Sequence, residues 1–188
     1  REYAAISGKE FKEPDAQAVF PTRGGSALKV EIKNTDACPR YAACLLELGK
    51  KGATPAWMKK ILRDCGLRSI SPVVDILNYV MLEVGQPLHA FDYTRLNKGL
   101  LRVRGADPKE AITTLDGATH ILSPDMVVIA DADKAVAVAG VMGGTGSEVT
   151  ENTKPVLLES ALFDPMRVRQ TARRLGLGSE SSYRFERG

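Results

Sequence analysis

The 188-residue sequence predicts an α+β fold, with mixed and antiparallel sheets and packed helices. Three observations carry that expectation. Two helix-like segments lie together between residues 54 and 83, after strand-like alternation at 28–48. Residues 100–160 are β-rich and contain the hairpin signature Asp116-Gly117. A last helix follows from Asp164. Helices and strands grouped along the chain in this way are the α+β pattern.

Taken in order, residues 1–27 form a lead-in segment or truncated linker, punctuated by Pro14, Pro21 and Gly24-Gly25. Leu28-Lys29-Val30-Glu31-Ile32 alternates apolar and polar side chains, the signature of a half-buried strand, and a second strand is expected through Arg40 to Leu48. Thr54-Pro55 opens a helix: the hydroxyl can cap, and Pro suits the first helical position. Trp57, Ile61 and Cys65 then line one face at i, i+4 and i+8, and Gly66 stops the helix. A second helix runs from Ser71-Pro72 to about Glu83, with Gly85 beyond it. It is apolar on almost every side, so deep burial is expected, with Asp75 and Asn78 at i and i+3 sharing a face. Gln86 to Asp92 is expected as a non-helical turn holding His89 between apolar neighbours.

Within the β-rich stretch, Leu101–Arg104 alternates, and Asp116-Gly117 joins Thr113–Leu115 to Thr119–Leu122. Val127–Ala130 and Ala135–Ala139 are two further strands. Gly140 to Gly146 is expected as a flexible loop, and Val156–Leu158 as a short buried strand ending at Glu159. Asp164-Pro165 caps a last helix to Leu175, and Gly176 ends it.

A length of 188 residues, 44% of them apolar, supports one sizeable core or two lobes and is too little for a large multidomain enzyme. No run of eighteen apolar residues exists, so no membrane-spanning helix is expected. The opening Arg-Glu-Tyr-Ala-Ala-Ile-Ser-Gly lacks a signal-peptide layout and an initiator Met, which suggests an excised or processed piece. Three cysteines, Cys38, Cys44 and Cys65, form no CxxC pair, and only His89 and His120 supply imidazoles; a structural zinc site is not expected, and a reducing cytoplasm fits.

The net charge of +3 conceals an asymmetry: residues 105–165 carry three basic and ten acidic side chains, whereas the chain beyond Phe163-Asp164-Pro165 carries six Arg against two Glu. Arg167, Arg169, Arg173 and Arg174 surround the apolar row Val168, Ala172, Leu175 of the last helix. A solvated face is the ordinary reading of such a row, and phosphate binding is the functional one. Gly144-Thr-Gly146 fits neither a dinucleotide fingerprint nor a phosphate loop, and bare backbone packed against another element is its ordinary reading. Glu159 follows three apolar strand residues, so its carboxylate sits at the rim of a core, either in a structural ion pair or backbone bond or with work to do. His89 is either a satisfied structural imidazole or a proton carrier. No Ser or Cys has the surroundings of a nucleophile.

Several strings, in order from about Cys38 to the end, resemble the central module of the bacterial phenylalanyl-tRNA synthetase beta chain. They are Val73 to Val80, Glu83 to Asp92, Leu115-Asp116-Gly117, Ala139 to Gly144, Leu157 to Ala161, Thr171 to Leu177 and Ser182 to Gly188. The resemblance implies an α+β editing module over residues 28–188, built of two intertwined subdomains. In the family, this module hydrolyses tyrosine wrongly attached to the tRNA for phenylalanine. The parent enzyme charges that tRNA using ATP and magnesium at a site on its alpha chain; no cofactor or metal is implied for this piece, and no DNA or membrane partner. The partners implied are that tRNA and the alpha chain.

Residue by residue, the resemblance puts the pocket histidine on His89, the backbone-wall glycine on Gly140 and the substrate-reading glutamate on Glu159. Leu77, Asn78, Pro87, Ser179 and Ser181 complete the implied substrate pocket, and Arg167, Arg169, Arg173, Arg174, Arg184 and Arg187 the implied RNA contacts. The family commonly has Thr where this chain has Leu77, which removes a polar contact. It has Thr-Asp-Ala-Ser where this chain has Ser179-Glu180-Ser181-Ser182, which keeps a hydroxyl first and a small side chain third.

An apolar pocket rejects an added hydroxyl only about a hundredfold, so a second site that recognises the phenol is needed to remove tyrosine. A buried acceptor such as Glu159 serves this purpose, and discrimination is a better role for it than general base. Hydrolysis then requires a positioned water, with His89 orienting it or the ribose, and backbone N–H groups near Gly140 polarising the carbonyl. Two other readings remain open: a non-catalytic RNA-binding module, and a structural spacer packed on the alpha chain.

Overall fold

A computed structural model describes residues 2–12, 28–50 and 52–187. Pro14, Pro21 and Gly24-Gly25 lie outside the described residues; of the lead-in segment, Glu2–Ser7 forms a short, largely exposed helix, α1. Strands β1 (Lys29–Ile32) and β2 (Arg40–Glu47) follow, then helices α2 (Ala56–Asp64) and α3 (Pro72–Val84). Next come β3 (Leu88–Asp92), β4 (Leu100–Gly105), β5 (Ala111–Thr113), β6 (Thr119–Ile121), β7 (Val127–Ala130), β8 (Ala135–Val138) and β9 (Met142–Gly143). The long strand β10 (Pro155–Leu162), α4 (Pro165–Leu175) and α5 (Glu180–Phe185) complete the order.

The strands make a mixed sheet β1-β4-β7-β8-β9, an antiparallel sheet β2-β10-β3 and the small hairpin β5-β6. Among the described residues only β1 pairs in parallel, with β4. The two larger sheets share one core: Phe91 and Leu157 from the three-stranded sheet are buried in the same cluster as Leu101, Val103, Val128, Ile129 and Val138 from the five-stranded one. Each such side chain contributes about 1.5–3 kcal/mol by leaving water. The chain is thus the predicted α+β fold, with a core assembled from segments far apart in sequence.

Strand parity decides what faces that core. Along β10, Leu157, Glu159 and Ala161 point to the main core, while Val156 joins Leu77 and Ala90 in a smaller cluster on the opposite face, beneath α3. Glu159 therefore stands mid-strand on the buried face, three residues before the strand ends rather than at its end. The apolar strand is longer than Val156–Leu158 because Ser160 and Leu162 take the outer, wetter side.

Other expectations shift for local reasons. Residues 88–92 are not a turn but edge strand β3, paired with β10 from Val156↔Asp92 to Ser160↔Leu88. Helix α2 buries Met58 and Leu62, one position round from the expected face; Trp57 is outside, edge-on to the Tyr79 ring at 5.3 Å between centroids. Thr54 does not cap α2: its hydroxyl donates to Asp75 Oδ2 at 2.5 Å, and Ser69 Oγ and the Ile70 N–H satisfy the same carboxylate. Helix α3 is not deeply buried, because it lies on the outside of one sheet; Asp75, Leu77 and Met81 are covered while Ile76 and Val84 are about half exposed. Gly140 to Gly146 is not free loop either. Met142 and Gly143 pair with β8, and the Gly144 N–H donates to the Val136 carbonyl at 2.8 Å. Asp164 caps α4 as expected, and Ser71, where the second helix was expected to start, caps α3.

Candidate active site

Glu159 and His89 are direct partners across β10 and β3, so their side chains project from one face of the sheet. Between that face, the Gly140–Gly143 turn and the start of α5 lies a cavity of about 160 Å³. An apolar cavity of about 150 Å³ holds one benzene-sized ring, so this one has room for a single aromatic side chain. Its walls include Leu115, Ile129, Val138, Val141, Met142 and Phe185, with Glu159, His89 and Ser181 among the polar side chains on them.

Burial pushes the Glu159 carboxyl up from its ordinary 4.5 to about 7, opposed in part by the Tyr41 hydroxyl, which donates to Oε2 at 2.9 Å. No Lys or Arg pairs with Glu159 among the described residues, so the bland expectation of an ion pair does not hold here. Burial likewise pulls the His89 imidazole down from 6.5 to about 4, leaving it neutral at pH 7. Its ring stands edge-on to Phe91, 4.5 Å between centroids and 81° between planes.

Glycine at two positions lets the walls close. A Cβ at Gly143 would come within 2.6 Å of His89 Cε1 and 2.7 Å of Nε2. Gly140 adopts φ +69°, and a Cβ there would meet Val168 at 2.9 Å and Phe163 at 3.1 Å. Gly140 lines the cavity, and its N–H makes no hydrogen bond within the protein among the described residues.

The far wall is built by the capping box of α5. Ser179 Oγ accepts from the Ser182 N–H at 3.0 Å and donates to the Val141 carbonyl at 2.7 Å, while Ser182 Oγ accepts from the Ser179 N–H at 3.0 Å. The Ser179 hydroxyl is thus consumed in tying α5 to the turn after Gly140. Ser181, one position inside the helix, keeps its hydroxyl.

Of the expected site residues, the structure brings Pro87, His89, Gly140, Glu159, Ser179 and Ser181 together around the cavity. Leu77 and Asn78 are not among its walls. Leu77 packs with Ala90 and Val156 on the other side of the sheet, so the departure at this position falls in a core cluster and not at the cavity. Tyr41, Gly143, Met142 and Phe185 were missed. Tyr41 had a usable signal, as the one aromatic side chain in a strand of otherwise small and aliphatic residues between Arg40 and Glu47; Gly143 lay within the noted Gly run, but its contact with His89 is non-local.

The six arginines do not form one free face. Arg174 pairs with Asp125, Arg184 with Glu180 Oε2 at 2.6 Å, and Arg187 stacks on Tyr183 with its guanidinium 3.5 Å from the ring centroid. Arg169 and Arg173, i and i+4 on α4, are exposed without ion pairs among the described residues; Arg167 is half-buried.

The family model of the B3/4 domain matches residues 37–188. The chain belongs to the B3/4 domain family. It is 52% identical over its whole length to the phenylalanine–tRNA ligase beta subunit of Moorella thermoacetica, covering 24% of that protein. Identity is 51% to the beta subunit of Anaeromyxobacter dehalogenans, with the same coverage of both chains. The chain thus spans about a quarter of the length of the curated relatives it matches. Among solved structures it resembles an N-terminal fragment of the phenylalanyl-tRNA synthetase beta subunit from Pyrococcus horikoshii, with a TM-score of 0.52 and 13% identity over 79% of this chain and 49% of that one. That likeness is one of fold. No helix among the described residues is long and apolar enough to cross a membrane.

Proposed function

We propose that this B3/4 module hydrolyses the ester of tyrosine mis-attached to the tRNA for phenylalanine, with residues 28–188 acting as one editing module of a ligase beta chain. The observation that carries the reading is a ring-sized apolar cavity with a single carboxyl on its wall, held by one hydrogen bond and otherwise open. A phenol entering that cavity gives Glu159 a second donor. A phenylalanine ring gives it none and strips water from it, at a cost of about 1–3 kcal/mol, or roughly 5- to 150-fold. Neutral His89 and the Gly140 N–H flank the space where an ester carbonyl and its attacking water would sit, in positioning and oxyanion roles. The tRNA and the synthetase alpha chain are the proposed partners, with Arg169 and Arg173 as the phosphate contacts best placed for the former.

A second reading is favoured by one observation. A carboxyl ionising at about 7 is well matched to general-base work near neutral pH. Release of Tyr from Tyr-charged tRNA and of Phe from Phe-charged tRNA, by wild type and Glu159→Ala, separates the two. A discriminator gives a variant whose Tyr release falls toward its slow Phe release; a general base gives parallel loss on both esters. Salt-dependent RNA binding with no release of either amino acid would replace both readings with a non-catalytic module.

A further inference from the structure

We propose that Tyr41 is the positioning residue for Glu159: its phenol holds Oε2 and leaves Oε1 as the one carboxylate oxygen offered to the substrate. What that oxygen recognises rests on the editing reading above.

Tyr41 lies on β2, the strand flanking β10 on the side opposite His89. Ala43 is the residue directly across from Glu159, and Tyr41 is two positions further along, on the same face and opposite Ala161. It reaches diagonally to Oε2 at 2.9 Å, a sound hydrogen bond between side chains 118 residues apart in sequence. Tyr41 is not among the cavity walls, so it grips the carboxylate from outside the space the substrate would fill.

The other groups near Glu159 leave this task to Tyr41. Cys38, just before β2, turns its thiol to the Arg40 carbonyl at 3.4 Å, and burial pushes that thiol up to about 11. His89, across on β3, is neutral. Ser179 spends its hydroxyl on Val141, and Ser181 carries no charge. A Glu side chain has three rotatable bonds, and without an anchor the carboxylate would sample several positions along the wall. Fixing it beforehand removes that ordering cost from substrate binding. A hydroxyl donor stabilises the ionised carboxylate more than the neutral acid, so the Tyr41 bond also favours the form in which both oxygens accept strongly.

The test is Tyr41→Phe in the 188-residue chain, which removes the hydroxyl and keeps the ring. A carbon-13 NMR titration of the Glu159 carboxyl in the free protein, assigned by loss of the signal in Glu159→Gln, reads the bond directly. Its midpoint is expected to move up by roughly one pH unit relative to wild type. The second readout is release of Tyr and Phe from the charged tRNAs between about pH 6 and 8.5. The preference for Tyr should fall roughly fivefold near pH 7, as the ionised fraction does for a one-unit rise from about 7, and recover toward wild type at the alkaline end, where the carboxyl ionises without help. A merely structural tyrosine would lower the melting temperature and slow both esters equally at every pH. An unmoved midpoint and an unmoved Tyr/Phe ratio in a wild type that edits overturn the positioning role and leave editing intact. A shifted midpoint with no ester hydrolysis by wild type supports the hold of Tyr41 on Glu159 and removes the editing reading instead.

Discussion

Glu159→Gln should unmask an acid lability that the wild-type protein conceals. Burial raises Glu159 from 4.5 to about 7, so the folded state favours the protonated carboxyl; its contribution to stability is fully present below pH 4.5 and is lost as pH rises through 7. His89 behaves oppositely. Lowered from 6.5 to about 4, it contributes stability that is present above pH 6.5 and is lost as pH falls through 4. Each gap corresponds to about 3 kcal/mol at full burial, and His89, which keeps some solvent contact through the cavity, falls nearer about 2 kcal/mol. Between pH 4.5 and 6.5 the two slopes have opposite signs and largely cancel. Removing the ionisable carboxyl leaves the His89 slope alone. Urea unfolding followed by circular dichroism at steps across about pH 4 to 7.5 gives both curves, and every other carboxylate is common to the two proteins. The stability of wild type relative to the variant should increase by about 2–3 kcal/mol from pH 7.5 down to 4.5. A difference that stays constant across that range would refute the claim that Glu159 is held largely protonated below neutrality.

Three further outcomes follow from the same geometry. Gly143→Ala places a Cβ within 2.6–2.7 Å of the His89 ring, so Tyr release should fall about a hundredfold or more with little loss of RNA binding; normal release would exclude His89 from the chemistry. Ser181→Trp should fill the cavity and abolish Tyr release while far-UV dichroism and RNA affinity remain near wild type, and a variant that still edits would remove Ser181 from the substrate wall. Replacing Arg169 and Arg173 by Ala should reduce the salt slope of tRNA binding by roughly one per lost phosphate contact, whereas Arg174→Ala, which breaks a pair with Asp125, should leave the slope nearly unchanged; equal effects would place the RNA elsewhere.

Much of the fold was legible because its signals are local. Ser71-Pro72 and Asp164-Pro165 begin helices through their own side chains, and Asp116-Gly117 closes the hairpin with Gly117 at φ +84°. The errors arise where tertiary contact overrides local pattern. Trp57, Ile61 and Cys65 are a correct helical row displaced from the buried one: α2 buries Met58 and Leu62, while Trp57 remains half exposed and touches α3 only edge-on at Tyr79. Strand β3 read as a turn because Pro87 and His89 obscure a short edge strand whose pairing lies with β10, some seventy residues later. The site divides in the same way. His89 and Glu159 stood out by their local surroundings, Gly140 and Ser181 came from resemblance, and all four fall around one cavity, but Leu77 could not be placed without strand parity, which puts α3 on the opposite face from Glu159.

The other well-covered carboxylates show why Glu159 is not one more structural acid. Asp75 is fully buried yet held below its ordinary range, because Ser69, Thr54 and the Ile70 N–H donate to it and outweigh desolvation. Asp92 is treated likewise by Thr153 and Thr94. Glu110 binds Arg104 through both oxygens, at 2.7 and 2.8 Å, and accepts the Asp107 and Ala135 N–H groups besides. Each of these is charged and saturated with donors, as a buried acid must be if its role is to join elements. Glu159 is nearly as well covered as Asp75 and Asp92 and better covered than Glu110, with one donor and a cavity in front of it. A core-facing apolar residue at this position would pack between Leu157 and Ala161 without desolvating a carboxyl. Stability alone therefore gives no reason for a glutamate here, whereas a ligand that supplies the second donor does.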